Sequence, residues 1–180
     1  MLILLLVLGF VAVILIGLYN GLVTARMSVK EAFADIDTLL KQRFDMIPNL
    51  VNIVKGYAKH EKELLENITK YRSMVAEAKD VDSMSEADGM LTKSLKTLFA
   101  VAENYPDLKA NQNFIDLQQK LVNLENEIQK SRRYYNATVK EYNTKISLFP
   151  AGVIAPMLGF TPEPFFKVLE EEKENVKVEF

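Results

Sequence analysis

Apolar residues fall along this chain in three regimes: an unbroken run, long stretches spaced by threes and fours, and an oily segment punctuated by proline. The run is Met1 to Leu18, with no charged or strongly polar residue, broken only by Gly9 and Gly17. As a helix it spans roughly 27 Å at about 1.5 Å per residue, close to the ~30 Å hydrocarbon core of a bilayer. Tyr19 and Asn20 follow at the depth where an aromatic ring with a polar tip prefers to sit. A cleaved secretory signal wants a charged leading region and small residues before the cut, and Gly17 to Gly21 supplies no convincing site. A buried core helix would need a larger enclosure than the downstream residues supply. Residues 1–18 are therefore read as an uncleaved transmembrane anchor and the remainder as a tethered domain.

Residues 19–148 read as a helical bundle. Leu22, Val29, Phe33, Ile36, Leu40, Phe44 and Ile47 recur at helical spacing among charged residues, the pattern of a one-sided helix. Pro48 interrupts it. Proline costs little at a first helical position and much in an interior, so Asp45 to Ile47 is read as a turn, with one kinked helix as the alternative. Leu50, Val54, Tyr57, Glu61, Leu64, Ile68, Tyr71, Val75 and Ala78 then step by fours and threes, a narrow coiled-coil-like seam. Asp80 to Asp88 reads as a break, with Ser85 and Asp88 spaced as a capping box. A short third helix carries Leu91, Leu95, Leu98, Ala102 and Tyr105. After Tyr105-Pro106, Asp107 is the expected cap of a long fourth helix, with Ala110, Phe114, Leu117, Leu121, Leu124, Ile128, Ser131, Tyr135, Thr138 and Tyr142 on its seam before the pattern drifts to Ile146. The fold class expected is all-α: a transmembrane helix, then a long-helix antiparallel up-and-down bundle of four helices, the third shorter than the rest.

Residues 149–180 change character. Pro150, Pro156, Pro162 and Pro164 are four of the six prolines, interleaved with Phe149, Val153, Met157, Phe160, Phe165 and Phe166. The segment is too apolar to float and is expected to pack on the bundle, another copy or the lipid surface. The last six residues alternate, with Val176, Val178 and Phe180 on one side. They read as a strand-like tail able to add to another edge, or as a frayed end.

Composition removes function classes. Lys plus Arg is 22 against 24 Asp plus Glu, net −2, with no basic cluster, which argues against a nucleic-acid partner. There is no cysteine, and His60 is the single histidine. His60-Glu61 starts like a zinc-protease motif, but Leu64 stands where the second histidine belongs. The seven glycines are scattered and form no phosphate loop. The expectation is a non-enzyme with no cofactor, no metal and no small-molecule substrate. Two Tyr-Asn pairs stand one heptad apart, Tyr135-Asn136 and Tyr142-Asn143, so they share a helix face. They read as a buried polar ladder satisfied across helices, or as a groove gripping a peptide or glycan. Arg26, Arg43, Arg72, Arg132 and Arg133 are expected to answer Asp35, Asp37, Asp45 and Glu61 across helices.

Several stretches together resemble the LemA family. They are Tyr19-Asn20-Gly21-Leu22-Val23, Phe33-Ala34-Asp35-Ile36-Asp37, Arg43 to Val51, Val54 to Glu61, Glu103 to Asn111, Arg132 to Asn136, Phe149-Pro150, Gly159-Phe160, Phe165-Phe166 and Val178-Glu179-Phe180. The resemblance implies a bacterial, membrane-associated helical bundle without established catalytic residues. Some members carry a lipoprotein cysteine after the apolar segment, which implies a bundle outside the cytoplasm; this chain has none. Arg26 and Lys30 just after the anchor favour the opposite side by the positive-inside rule, so the side stays open. The expected function is a non-enzymatic, single-pass scaffold of the inner membrane, partnered by the lipid bilayer, that self-associates into a homo-oligomeric ring or shell. The alternative is an envelope adaptor or sensor binding a peptide, protein or cell-wall polymer. Candidate binding or assembly residues are Tyr135, Asn136, Tyr142, Asn143, Phe160, Phe165, Phe166, Val176, Val178 and Phe180.

Overall fold

A computed structural model describes residues 1–167. They form helices α1 (Leu2–Tyr57), α2 (Lys62–Glu77), α3 (Val81–Ala102), α4 (Pro106–Lys109), α5 (Gln112–Ser147) and α6 (Ala151–Ile154), then a 3₁₀ turn at Pro156–Leu158 and an extended stretch. The fold is all-helical, with no strand among the described residues. The strand-like tail, with Val176, Val178 and Phe180, lies outside them. The described residues divide into two compact units: Met1–Asp35 with Arg133–Pro164, and Ile36–Arg132 with residues 165–167. Helices α1 and α5 contribute to both.

The second unit corrects three local expectations. Pro48 neither starts a helix nor follows a turn; it lies inside α1. Proline removes the amide that would bond the carbonyl four residues back, which here is Phe44 O. Arg72 Nε donates to that oxygen at 2.9 Å, and its guanidinium carbon lies 3.5 Å from the centre of the Phe44 ring. The helix therefore passes the proline with its carbonyl satisfied. The break comes later, at Ala58–Glu61, just after Gly56. Glycine costs a helix about 1 kcal/mol relative to alanine, and Ala58 is drawn into the core.

The other two corrections concern caps. Helix α3 starts at Val81, capped by Asp80, whose side chain accepts from Ser83 N at 2.8 Å and is thereby held below the usual carboxylate pKa. Ser85 and Asp88 are thus interior residues, not a capping box, and α3 has 22 residues rather than a short run. Pro106 opens the single turn α4, and Asn111 rather than Asp107 caps α5, Oδ1 accepting from Phe114 N at 3.1 Å. Two of the stretches that carried the resemblance meet here: Tyr105 OH donates to Glu61 Oε1 at 2.9 Å, and Asn111 Nδ2 donates to Tyr57 OH at 3.0 Å. Glu61 is consequently a turn residue rather than a seam residue. The core is Ile36, Leu40, Ile47, Leu50, Val54, Leu65, Ile68, Leu91, Leu95, Leu98, Leu108, Phe114, Leu121, Leu124 and Ile128.

The first unit buries Leu22, Ala25, Val29 and Ala32 of α1 with Tyr135, Val139, Tyr142 and Ile146 of α5, and adds Ala151, Ala155 and Phe160. The seven-residue series Leu22, Val29, Ile36 is thus the buried face of α1, while Phe33 and Phe44 are only half-buried beside it. After α5 the chain turns tightly. A Cβ on Gly152 would lie 2.8 Å from Ser147 O, and Gly159 takes a left-handed φ of 75° at the end of the 3₁₀ turn. Both positions require glycine. The first sixteen residues of α1 are exposed throughout, and α1 is the helix long and apolar enough to cross a membrane.

Candidate functional site

Two polar constellations interrupt otherwise apolar packing. The one in the second unit is built from three helix stripes. Arg43 continues the series Leu22, Val29, Ile36 of α1 at the next heptad. Asp88 falls between Met84 and Leu91 on the buried stripe of α3, and Arg132 follows Ile128 on that of α5. Each is a charged residue at a core position, and the three converge. Asp88, fully buried, meets Arg43 Nη2 with Oδ1 and Arg132 Nη2 with Oδ2. The other Arg43 terminal nitrogen donates to Thr92 Oγ1 at 3.0 Å and to Glu125 Oε2 at 2.5 Å, and the Thr92 hydroxyl in turn donates to Glu125 Oε2 at 3.3 Å. The Arg132 guanidinium stands 4.9 Å from the centre of the buried Phe166 ring. Beyond Phe166, Lys167 O accepts from Ser85 Oγ at 3.1 Å, and Lys167 Nζ pairs with Asp82 at 2.9 Å, an interaction that raises the lysine pKa.

Two cations and two anions balance the cluster. Both Asp88 oxygens are occupied by guanidinium groups, and Arg43 is 1% exposed. A cavity of about 240 Å³, lined by Arg43, Thr92, Phe99, Leu121, Glu125 and Gln129, lies beside it. Charges held this way fix the alignment of helices. The sequence carried a signal for them, two positive charges and one negative on three apolar stripes. Counting apolar positions treats each such residue as a gap, and the expected partners Asp35, Asp37, Asp45 and Glu61 drew attention elsewhere.

The second constellation, in the first unit, contains most of the residues singled out from the sequence. Tyr135 OH donates to Pro164 O at 2.9 Å and Tyr142 OH to Thr161 O at 3.0 Å. Asn143 binds the backbone of Glu163 twice: Nδ2 donates to Glu163 O and Oδ1 accepts from Glu163 N, each at 2.9 Å. Arg26 Nε lies 3.5 Å from the Glu163 carboxylate. Burial pushes the Tyr142 pKa upward; the Arg26 charge opposes this and Glu163 reinforces it. Tyr135, Tyr142 and Asn143 of the polar ladder thus bond an extended strip of the chain's own backbone, residues 161–164. Asn136 is half-buried beside Tyr135. Phe160 is buried with its ring edge-on to Tyr19 at 5.9 Å between centres, Phe166 is buried in the second unit, and Phe165 is exposed. Among the described residues no three His, Asp or Glu side chains are grouped to hold a metal ion, and His60 is exposed in the turn after α1.

A helical chain whose first helix can span a bilayer, and whose polar constellations tie its own elements together, belongs to a class of membrane-associated helical proteins. The LemA family profile matches residues 32–180. The chain belongs to the LemA family. It is similar to the protein LemA of Metamycoplasma hominis, 28% identical over 95% of this chain and 78% of the relative. It is also similar to the magnetosome protein MamQ 2 of Paramagnetospirillum magneticum, 24% identical over 89% of this chain and 68% of the relative. A third relative, the magnetosome protein MamQ of Magnetospirillum gryphiswaldense, is 22% identical over 82% of this chain and 64% of the relative.

Proposed function

We propose that this protein is a non-enzymatic scaffold held in the bacterial inner membrane by a single pass of α1, and that it self-associates there. The observation that carries the anchor is the exposed apolar opening of α1, which continues without a break into the folded chain. Self-association is supported by Gly17 and Gly21, four residues apart on one face of that helix, with open space where a Cβ would stand. Small residues at this spacing let two membrane helices approach closely. The absence of catalysis is supported by the buried carboxylate of Asp88 being enclosed between two arginines rather than directed at a reacting group. Two relatives bear the name magnetosome protein, which accords with a role in organising a membrane. The test is particle mass in mild detergent by light scattering, for the parent chain and for Gly17→Ile/Gly21→Ile. A multimer that falls apart in the variant is expected; a uniform monomer for the parent overturns the reading.

A second reading is favoured by the clamp. Tyr135, Tyr142 and Asn143 each place a side-chain hydrogen bond on backbone atoms of residues 161–164, so an extended peptide of another protein could compete for the same groups. On that reading the protein is an envelope adaptor, and a backbone-mimicking peptide should displace the chain's own strip.

A further inference from the structure

From Ile146 to Pro162 the chain carries no charge, with Lys145 before this stretch and Glu163 after it. Packing uses only part of this apolar character. Ala151, Ala155 and Phe160 are buried, whereas Leu148, Phe149, Val153, Met157 and Leu158 face outward, Phe149 at 87% and Met157 at 82% exposure. Five large apolar side chains on a short reversal form a patch that water disfavours.

The height of the patch along α1 is set by contacts. Phe160 packs edge-on to Tyr19. An apolar cavity of about 290 Å³ is lined by Leu15, Leu18 and Leu22 of α1 together with Ala151, Ile154 and Leu158. The reversal is thus held against the last turns of the apolar span, where its end meets water if α1 crosses a bilayer.

Its backbone suits the same place. Pro150 and Pro156 have no amide proton. Gly152 N bonds Leu148 O at 2.7 Å, Val153 N bonds Pro150 O at 3.3 Å and Ala155 N bonds Ala151 O at 2.7 Å. Leu158 N and Phe160 N both bond Ala155 O, and Gly159 N bonds Pro156 O. These internal bonds lower the cost of placing irregular backbone near lipid headgroups.

We propose that residues 148–158 are a second membrane contact: a re-entrant wedge whose Leu148, Phe149, Val153, Met157 and Leu158 side chains enter the headgroup and upper acyl region of the bilayer that α1 crosses. The wedge rests on the reading of α1 as a membrane span. It sets the depth of the anchor and fixes the first unit against the surface, as interfacial apolar side chains do elsewhere.

The chain has no cysteine, so single labels can be introduced cleanly. Phe149→Cys, Val153→Cys, Met157→Cys, Leu8→Cys for the span and Lys130→Cys for an exposed site on α5 would each carry an environment-sensitive fluorophore. The full chain would be reconstituted into vesicles of phosphatidylcholine with a minority of phosphatidylglycerol. Spin-labelled lipids, nitroxide at the headgroup or deep in the acyl chain, quench from the membrane, and iodide quenches from water. The expected result is several-fold stronger quenching by the headgroup nitroxide at 149, 153 and 157 than at 130, with weak iodide quenching. The label at position 8 should respond to the deep nitroxide. Iodide-accessible labels at 149 and 157 with a lipid-quenched label at 8 would overturn the wedge and leave the anchor standing. A label at 8 quenched by iodide and not by lipid would overturn both. Labels at 149 and 157 shielded from iodide yet untouched by lipid nitroxides would also overturn the wedge, because protein rather than lipid then covers the patch.

Discussion

The two units close their polar groups in opposite ways. In the second, Arg43, Asp88, Arg132 and Glu125 satisfy one another side chain to side chain, inside a core made of several helices. In the first, Tyr135, Tyr142 and Asn143 satisfy backbone atoms of a non-helical strip, and large apolar side chains remain outside. The difference is one of specification. Charges that must find each other across three helices discriminate strongly against misaligned packing, because every wrong register strands a charge in low dielectric. Tyrosine and asparagine reading backbone tolerate changes in the sequence they hold. The second unit is therefore defined from within, whereas the first is finished by its surroundings, a bilayer on the reading given above.

The largest expected effect tests that inner specification. Asp88→Ala removes the anion between two buried guanidinium groups and should destabilise the protein by about 3–5 kcal/mol, read by denaturant unfolding in detergent. Replacing the set with uncharged residues of similar size, Arg43→Met/Asp88→Leu/Arg132→Met in a Glu125→Gln background, should recover most of that stability. If the triple variant keeps the parent's sharp unfolding transition and spectrum, alignment does not depend on the charges and the contrast between the units is broken.

The next effect concerns the proline within α1. Arg72→Ala leaves the part-buried Phe44 O without its donor and removes the guanidinium from the Phe44 ring, and should cost about 1–2 kcal/mol. In a Pro48→Ala background an amide returns at position 48 and can reach that carbonyl. The same Arg72→Ala change should then cost only what remains from the guanidinium over the Phe44 ring, about 0.5–1 kcal/mol. Coupling between residues 48 and 72 is the measurable quantity. Strict additivity would show that Arg72 acts elsewhere.

These two cases mark what was legible in the chain. The apolar opening of α1 could be read as a helix able to cross a membrane because an uncharged apolar run of that length needs no partner to identify it. Heptad steps located the buried stripes of α1, α3 and α5, since burial follows helical periodicity directly. Pro48 misled because its remedy, Arg72, lies on another helix, while Gly56, the actual weak point, interrupts no pattern. The caps were misplaced for a related reason: Asp80, Ser85, Asp107 and Asn111 are all competent capping residues, and packing chooses among them. Tyr142 and Asn143 stood out through their repeat. Their partners did not, because the carbonyls and amide of residues 161–164 belong to the backbone and leave no mark in the sequence.

The smallest effect probes the clamp, and its sign separates a strip fixed for folding from one open to exchange. Asn143→Leu deletes both bonds to Glu163, and at about 0.5–1.5 kcal/mol net for each such bond the strip should open about five-fold to a hundred-fold more often. Hydrogen exchange at the Glu163 amide and proteolysis near residues 161–164 would record this opening, while amides in the core of the second unit keep their protection. Asn143→Asp retains an acceptor for Glu163 N and loses the donor for Glu163 O, so it should fall between the parent and the leucine variant. A leucine variant whose second-unit amides lose protection together with Glu163 would mean that the clamp is part of one cooperative fold. In that case the strip could not exchange for a foreign peptide without unfolding the protein, and the adaptor reading would fail.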